Sequence, residues 1–222
     1  MLKKSISVLV LVMMAFAVSY AQDVKFNGYA SYVFNDRFDS RFDPNYYYKG
    51  MINDGCRWGG GIEYMIGEDY GIELSSLNMK SNVPLTFYSY NRIPENINYT
   101  AGQHYILAGS NRYFDVNNDK IELYTGAQAG ILLINYKNPS NGIKGNITKF
   151  AWGVKAGSNF WLTDNFGIKL QAQLLSALQS LGADIYIGSG GTGAGISGNS
   201  SILQFGLGGG LCFKLAAEKK KK

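Results

Sequence analysis

The only histidine in the 222-residue chain is His104, the one side chain whose ordinary titration range suits general-base work near neutral pH. A histidine base activates a serine only within hydrogen-bond reach. In His104-Tyr105-Ile106 the next same-face position carries no serine, and Ser110 lies about 20 Å further along an extended strand. Ser76 sits on a different segment, and no motif marks it as a partner. His104 is therefore expected to be an interfacial residue, with no catalytic set in the chain. Cys56 and Cys212 pose a second question, since a disulfide requires Cα atoms within about 7 Å. They fall at opposite ends of their segments, which predicts two free thiols. The repeat of Arg-Phe-Asp in 36–43 lacks the ligand spacing and glycine of an EF-hand loop, and 115–119 is too short for one. Glycine-rich 188–195 lacks the Lys-Ser/Thr of a phosphate loop. No metal and no cofactor are expected.

The elements that would position these residues are strands. Ile121-Glu122-Leu123-Tyr124-Thr125-Gly126-Ala127-Gln128-Ala129-Gly130-Ile131 alternates apolar or small residues with polar residues and glycine. This is the period of a strand with two different faces. Eight such segments are predicted, at about 24–34, 57–66, 70–79, 103–114, 120–136, 149–162, 168–181 and 202–215. The gaps 67–69, 115–119 and 163–167 are tight turns rich in Asp, Asn and Gly, whereas 35–56, 80–102, 137–148 and 182–201 are long. Such alternation suits an all-β, eight-stranded antiparallel up-and-down barrel that crosses a membrane, with short turns on one side and four long loops on the other.

One strand face carries glycine together with long charged or amide side chains, and the other carries aliphatic and aromatic residues. Eight strands enclose an interior just wide enough for side chains to fill. Arg57, Glu63, Glu73, Arg112, Glu122, Lys155, Lys169 and Lys214, with Lys25 beside them, are therefore predicted to form an ion-pair network in the lumen. A narrow pore lined by the same charges is the alternative. A soluble barrel with its apolar face turned inward is disfavoured by the aromatic residues near strand ends and by the alternating gap lengths.

Lys3 and Lys4, an apolar run from Ile6 to Val18 and the ending Ser19-Tyr20-Ala21 read as a signal peptide over 1–21, leaving a barrel over 22–215 and a basic tail over 216–222. The net charge of +5 arises at the two ends and gives no nucleic-acid surface.

In its signal ending, its opening Val24-Lys25-Phe26-Asn27-Gly28-Tyr29, its segments Trp58-Gly59-Gly60-Gly61-Ile62-Glu63-Tyr64 and Tyr70-Gly71-Ile72-Glu73-Leu74, and its final segment Phe205 to Phe213, the chain resembles the small eight-stranded outer-membrane β-barrels of the OmpA/OmpX-like superfamily. Nine residues follow the terminal aromatic Phe213, where family barrels often stop. The resemblance implies export to the outer membrane of a Gram-negative cell, contact with its lipid, and recognition of the last strand by barrel-assembly machinery. It also implies a monomer, short turns in the periplasm and long loops outside. Some members modify lipid A with a histidine near the outer rim, which makes His104 the basis of a rival enzymatic reading. The expectation is a non-enzymatic structural or surface-interaction protein. Its loop contact surface would comprise Tyr46, Tyr47, Tyr48, Phe87, Tyr88, Tyr90 and Tyr99, because tyrosine offers rigid amphipathic contact area. An extracellular ligand or surface would be its partner.

Overall fold

A closed ring of strands follows from the alternation. The computed structural model describes residues 24–43, 46–89, 94–116, 120–139, 142, 144–178, 185–186, 195–196 and 202–215, but not the side chains of 38–43, 46–48, 89, 115, 178, 185–186 and 195–196. The expected signal peptide and basic tail, Tyr90 and the side chains of Tyr46, Tyr47 and Tyr48 lie outside the described residues. Twelve strands are assigned: β1 Val24–Val33, β2 Asp36–Asp43, β3 Tyr46–Ile52, β4 Gly55–Ile66, β5 Tyr70–Ser89, β6 Glu95–Asp115, β7 Ile121–Lys137, β8 Lys144–Trp161, β9 Phe166–Leu178, β10 Ile185–Tyr186, β11 Gly195–Ile196 and β12 Ile202–Leu215. Every pairing is antiparallel. The barrel runs β1-β4-β5-β6-β7-β8-β9-β12, and β12 closes it onto β1 from Val24↔Leu215 to Val33↔Gly206. Closure removes the sheet edges that would otherwise be left unpaired.

The outward face forms an apolar belt. On β12, Leu203, Phe205, Leu207, Leu211 and Phe213 point out, and on β8 so do Phe150, Trp152 and Val154. Leu203 to Phe213 covers about 34 Å of strand, or roughly 25 Å of height at the tilt usual for such barrels, which is the thickness of an outer-membrane apolar band. Trp58 (61 % exposed), Tyr32 and Phe205 ring its upper edge, and Phe26, Tyr70, Phe114 and Phe213 its lower edge. A surface this apolar would be unstable in water.

The loops depart from expectation. Only the first and last connections on the long-loop side are long. The stretch 80–102, expected as a loop, is mostly strand, because β5 and β6 continue for 20 and 21 residues. Likewise β7 and β8 approach each other to 138–143. Beyond the belt the alternation inverts: Val83, Leu85, Ile97, Tyr99, Ala101 and Tyr136 pack together or lie buried on the inner side. Asn82, Thr86, Asn96, Asn98, Thr100 and Asn135 face out. The polar residues there meet water instead of lipid. The first long connection folds as a hairpin, β2–β3, whose second strand pairs with the far end of β5 from Tyr46↔Ser89 to Gly50↔Leu85. Pro84 falls where β5 has left β4, after Met79, and has not yet met β3, so on that side its missing N–H breaks no ladder bond. On the short-turn side Gly67 has φ of 72°, a left-handed conformation that glycine enters without penalty.

Candidate functional site

The lumen holds two chemically distinct layers. Near the short-turn end, Glu63 and Glu73 stand directly opposite each other on β4 and β5 and are almost wholly buried. Like charges so placed repel. Two amides bridge them: the Asn27 amide nitrogen donates to Glu63 Oε2 (3.1 Å) and Glu73 Oε1 (3.4 Å), and that of Asn111 to Glu63 Oε1 (2.6 Å) and Glu73 Oε2 (3.1 Å). Tyr113 donates to Glu63 at 2.7 Å, and Tyr29 to Glu73. Lys155 forms an ion pair with Glu73 from the far wall. Lys25 reaches both oxygens of Glu122 at 2.9 Å, while Asn159 donates to Glu122 Oε2 at 2.7 Å. The Lys25 ammonium also lies 3.6 Å from the Tyr113 ring centre. Lys169, fully buried, sits 4.5 Å from the Tyr124 ring centre.

Glycine makes this crowding possible. A Cβ at Gly61 would collide with the Glu73 carboxylate, and one at Gly71 with that of Glu63. Each glutamate thus folds over a glycine of the neighbouring strand.

Toward the long-loop end the lumen becomes apolar. Leu77, Leu107, Leu132, Ile134, Ala151, Leu175, Ala177 and Ile202 form one buried cluster with Tyr29 and Tyr105. The expected division into a polar interior and an apolar exterior therefore holds for the lower half only. Where Ile131-Leu132-Leu133-Ile134 runs apolar without a break, Ile131 faces out while Leu132 and Ile134 face in. Among these residues Arg57 is fully buried. Its Nη1 donates to Gln204 Oε1 at 3.4 Å, which also accepts from Tyr105 at 3.1 Å, and Gln204 donates to Gln103 at 3.0 Å. Arg57 was expected in an ion pair; instead its guanidinium donates to the Gln204 amide and lies 5.8 Å from the Tyr105 ring centre, with no carboxylate partner among the described residues.

Two further charged residues differ from or qualify the expectation. Arg112 does not enter the lumen: it faces outward near the short-turn end, its guanidinium 5.7 Å from the Tyr70 ring centre and 5.2 Å from that of Phe114. A long side chain at that depth can lie along apolar surface with its charge at the interface. Lys214 does face inward, half-buried at the lower rim. At the mouth, Asp36 Oδ2 accepts the Leu203 backbone N–H at 2.8 Å, and burial raises its carboxyl above the usual aspartate range.

The remaining candidates are dispersed. His104 is half-buried on the outer face, its Nδ1 2.5 Å from Asn78 Oδ1. Ser76 is exposed on the same face of β5, and Ser110 lies further down β6. Cys56 is exposed and Cys212 buried, and both are free. Their β1 partners are Tyr32 and Asn27, which puts them about 17 Å apart along the strand. Among the described residues no group of three or more His, Cys, Asp and Glu is placed to hold a metal. Of the aromatic loop residues, Tyr99 is buried, Phe87 and Tyr88 are half-buried, and Tyr47 and Tyr48 pair in register with Tyr88 and Phe87.

No family model matches the chain, and no curated protein matches it in sequence. Solved structures are similar in fold. The outer membrane protein OprG from Pseudomonas aeruginosa aligns with a TM-score of 0.55 at 11% identity, over 90% of this chain and 99% of that one. Neisserial surface protein A gives 0.49 at 17% identity, over 88% and 98%. Ail of Yersinia pestis gives 0.47 at 15% identity, over 87% and 100%. The closed ring, its apolar belt and the likeness in fold to OprG make this chain an eight-stranded transmembrane β-barrel of the outer-membrane type.

Proposed function

We propose that the protein is a non-conducting, non-enzymatic outer-membrane barrel that acts as a structural platform and offers its extracellular end to other molecules. The observation that carries this reading is the lumen. Ion pairs from Lys155 to Glu73 and from Lys25 to Glu122 span it at one level, and a buried apolar cluster narrows it above. Eight strands leave little room for water around such contents. The wall also continues past the belt, where outward polar residues and the annexed β2–β3 hairpin give a surface of extended strands. Paired rungs bring Tyr47 beside Tyr88 and Tyr48 beside Phe87, which supports a contact surface there. The pairing of His104 with Asn78 favours a positional role for that ring over a catalytic one. The outward Phe213 and Leu215 near the end of β12 support its recognition by barrel-assembly machinery, and full closure supports a monomer.

Planar-bilayer recording on the refolded full chain tests the closed lumen. The expected trace shows no conductance steps above the bare bilayer, and sustained single-channel openings would overturn it.

A further inference from the structure

Among the buried side chains of the described residues, the acids and bases of the lumen answer each other at one level and not at the other. In the lower layer Lys25, Lys155 and Lys169 face Glu63, Glu73 and Glu122. In the upper layer Arg57 is fully buried and Lys149 nearly so, and neither has a carboxylate partner among the described residues. Asp36, at the mouth above them, is engaged with the Leu203 backbone. An arginine remains charged at any pH a protein survives. A buried charge without a counter-charge is costly, and the described residues supply none here.

The hydrogen-bonding pattern of Arg57 shows where a counter-charge would sit. Nη1 is taken by Gln204 Oε1, whereas Nε and Nη2 have no hydrogen-bond partner. These two nitrogens form one edge of the guanidinium, the edge that grips an anion with two parallel N–H donors. The strand beside that edge carries glycine: a Cβ at Gly206 would lie 2.9 Å from Nη2. We propose that the upper lumen binds one small monovalent anion, a halide or a carboxylate, on the Nε/Nη2 edge of Arg57. Lys149 adds positive potential at the same end, and the apolar shell of Val33, Leu77, Met79 and Leu175 lowers the local dielectric and strengthens the pairing. The site does not depend on whether the barrel conducts.

The test combines a map with a titration. Crystals of the refolded full chain grown in sodium bromide should show anomalous density within hydrogen-bond distance of Nε and Nη2, absent in Arg57→Gln. Urea unfolding at constant ionic strength, with sulfate as the balancing salt, gives the second reading. Above the dissociation constant, a tenfold rise in bromide should raise the folding equilibrium constant about tenfold in the natural chain and leave Arg57→Gln unchanged. Bromide stabilisation identifies a free halide as ligand. Stabilisation by decanoate alone, lost in the same variant, identifies a carboxylate carried on an apolar tail. Water at the fork with no response to either probe overturns the proposal, as does bromide density that persists in Arg57→Gln. If Arg57→Gln fails to refold, Gly206→Ala, which crowds Nη2, takes its place, and loss of the anion response is again the expected result.

Discussion

Replacing Glu73 with Gln removes one charge from the most densely bonded point of the barrel while keeping the side chain's shape. The Glu73 carboxylate accepts from Lys155, Tyr29, Asn27 and Asn111, and the side chains of both Glu73 and Lys155 are at most 3% exposed, so solvent does little to screen the pair. Breaking a buried ion pair at one partner typically costs about 3–5 kcal/mol, because the other charge is stranded. That corresponds to roughly a 100- to 4000-fold fall in the folding equilibrium constant at about 1.4 kcal/mol per decade. Lys155→Met alone should cost less than Glu73→Gln, since Glu73 keeps its amide and phenol donors. The double variant should be more stable than the sum of the two single losses implies, with a coupling above about 1.5 kcal/mol. Urea unfolding of the refolded barrel in lipid vesicles, followed by tryptophan fluorescence and by the heat-modifiable shift in gel mobility, measures all four corners of the cycle. Glu68→Gln, in the exposed turn before β5, is the control and should change stability by less than about 0.5 kcal/mol. If Glu73→Gln unfolds at the same urea concentration as Glu68→Gln, or if the coupling is zero, the network does not hold the barrel together as argued.

Two further outcomes follow from the layering of the wall. Leu132→Ala opens a hole in the upper lumen, where Leu132 is fully buried, and should cost about 2–5 kcal/mol. Its neighbour Leu133 points the other way, so Leu133→Ala should cost less, and the reverse order in urea unfolding would contradict the assigned faces. His104→Ala should leave the mass profile of lipid A unchanged in cells that express the protein. A profile that gains or loses an acyl chain with the histidine would restore the enzymatic reading.

Much of this architecture was legible from residue order. Alternation with period two specifies two-faced strands, and tight turns at 67–69 and 163–167 alternate with longer gaps, so the up-and-down ring follows from local rules. Arg112 was misplaced because on β6 both faces mix aromatic and polar residues: Tyr105, Asn111 and Tyr113 point in, while Ser110, Arg112 and Phe114 point out. A charge near the end of a strand can lie on either side, because its long stem reaches the interface. The stretch 80–102 resembles a loop in sequence because the alternation inverts there: inside the belt apolar residues face out, and above it they face in. Polarity reports what a residue touches, and that changes with height above the membrane.

Sequence alone determined the strand period, the identity of the strands that close the ring and the presence of charges of both signs on one face. Tertiary structure decided which charges meet. Glu73 finds Lys155, 82 positions away, and Lys25 finds Glu122, 97 positions away, because register and closure set opposite walls facing each other. The same closure leaves Arg57 at a level where the walls bring leucine, glycine and amide to it, and no acid among the described residues. Nothing local to Arg57 encodes that isolation, since its neighbours are chosen by where seven other strands happen to stand at its depth.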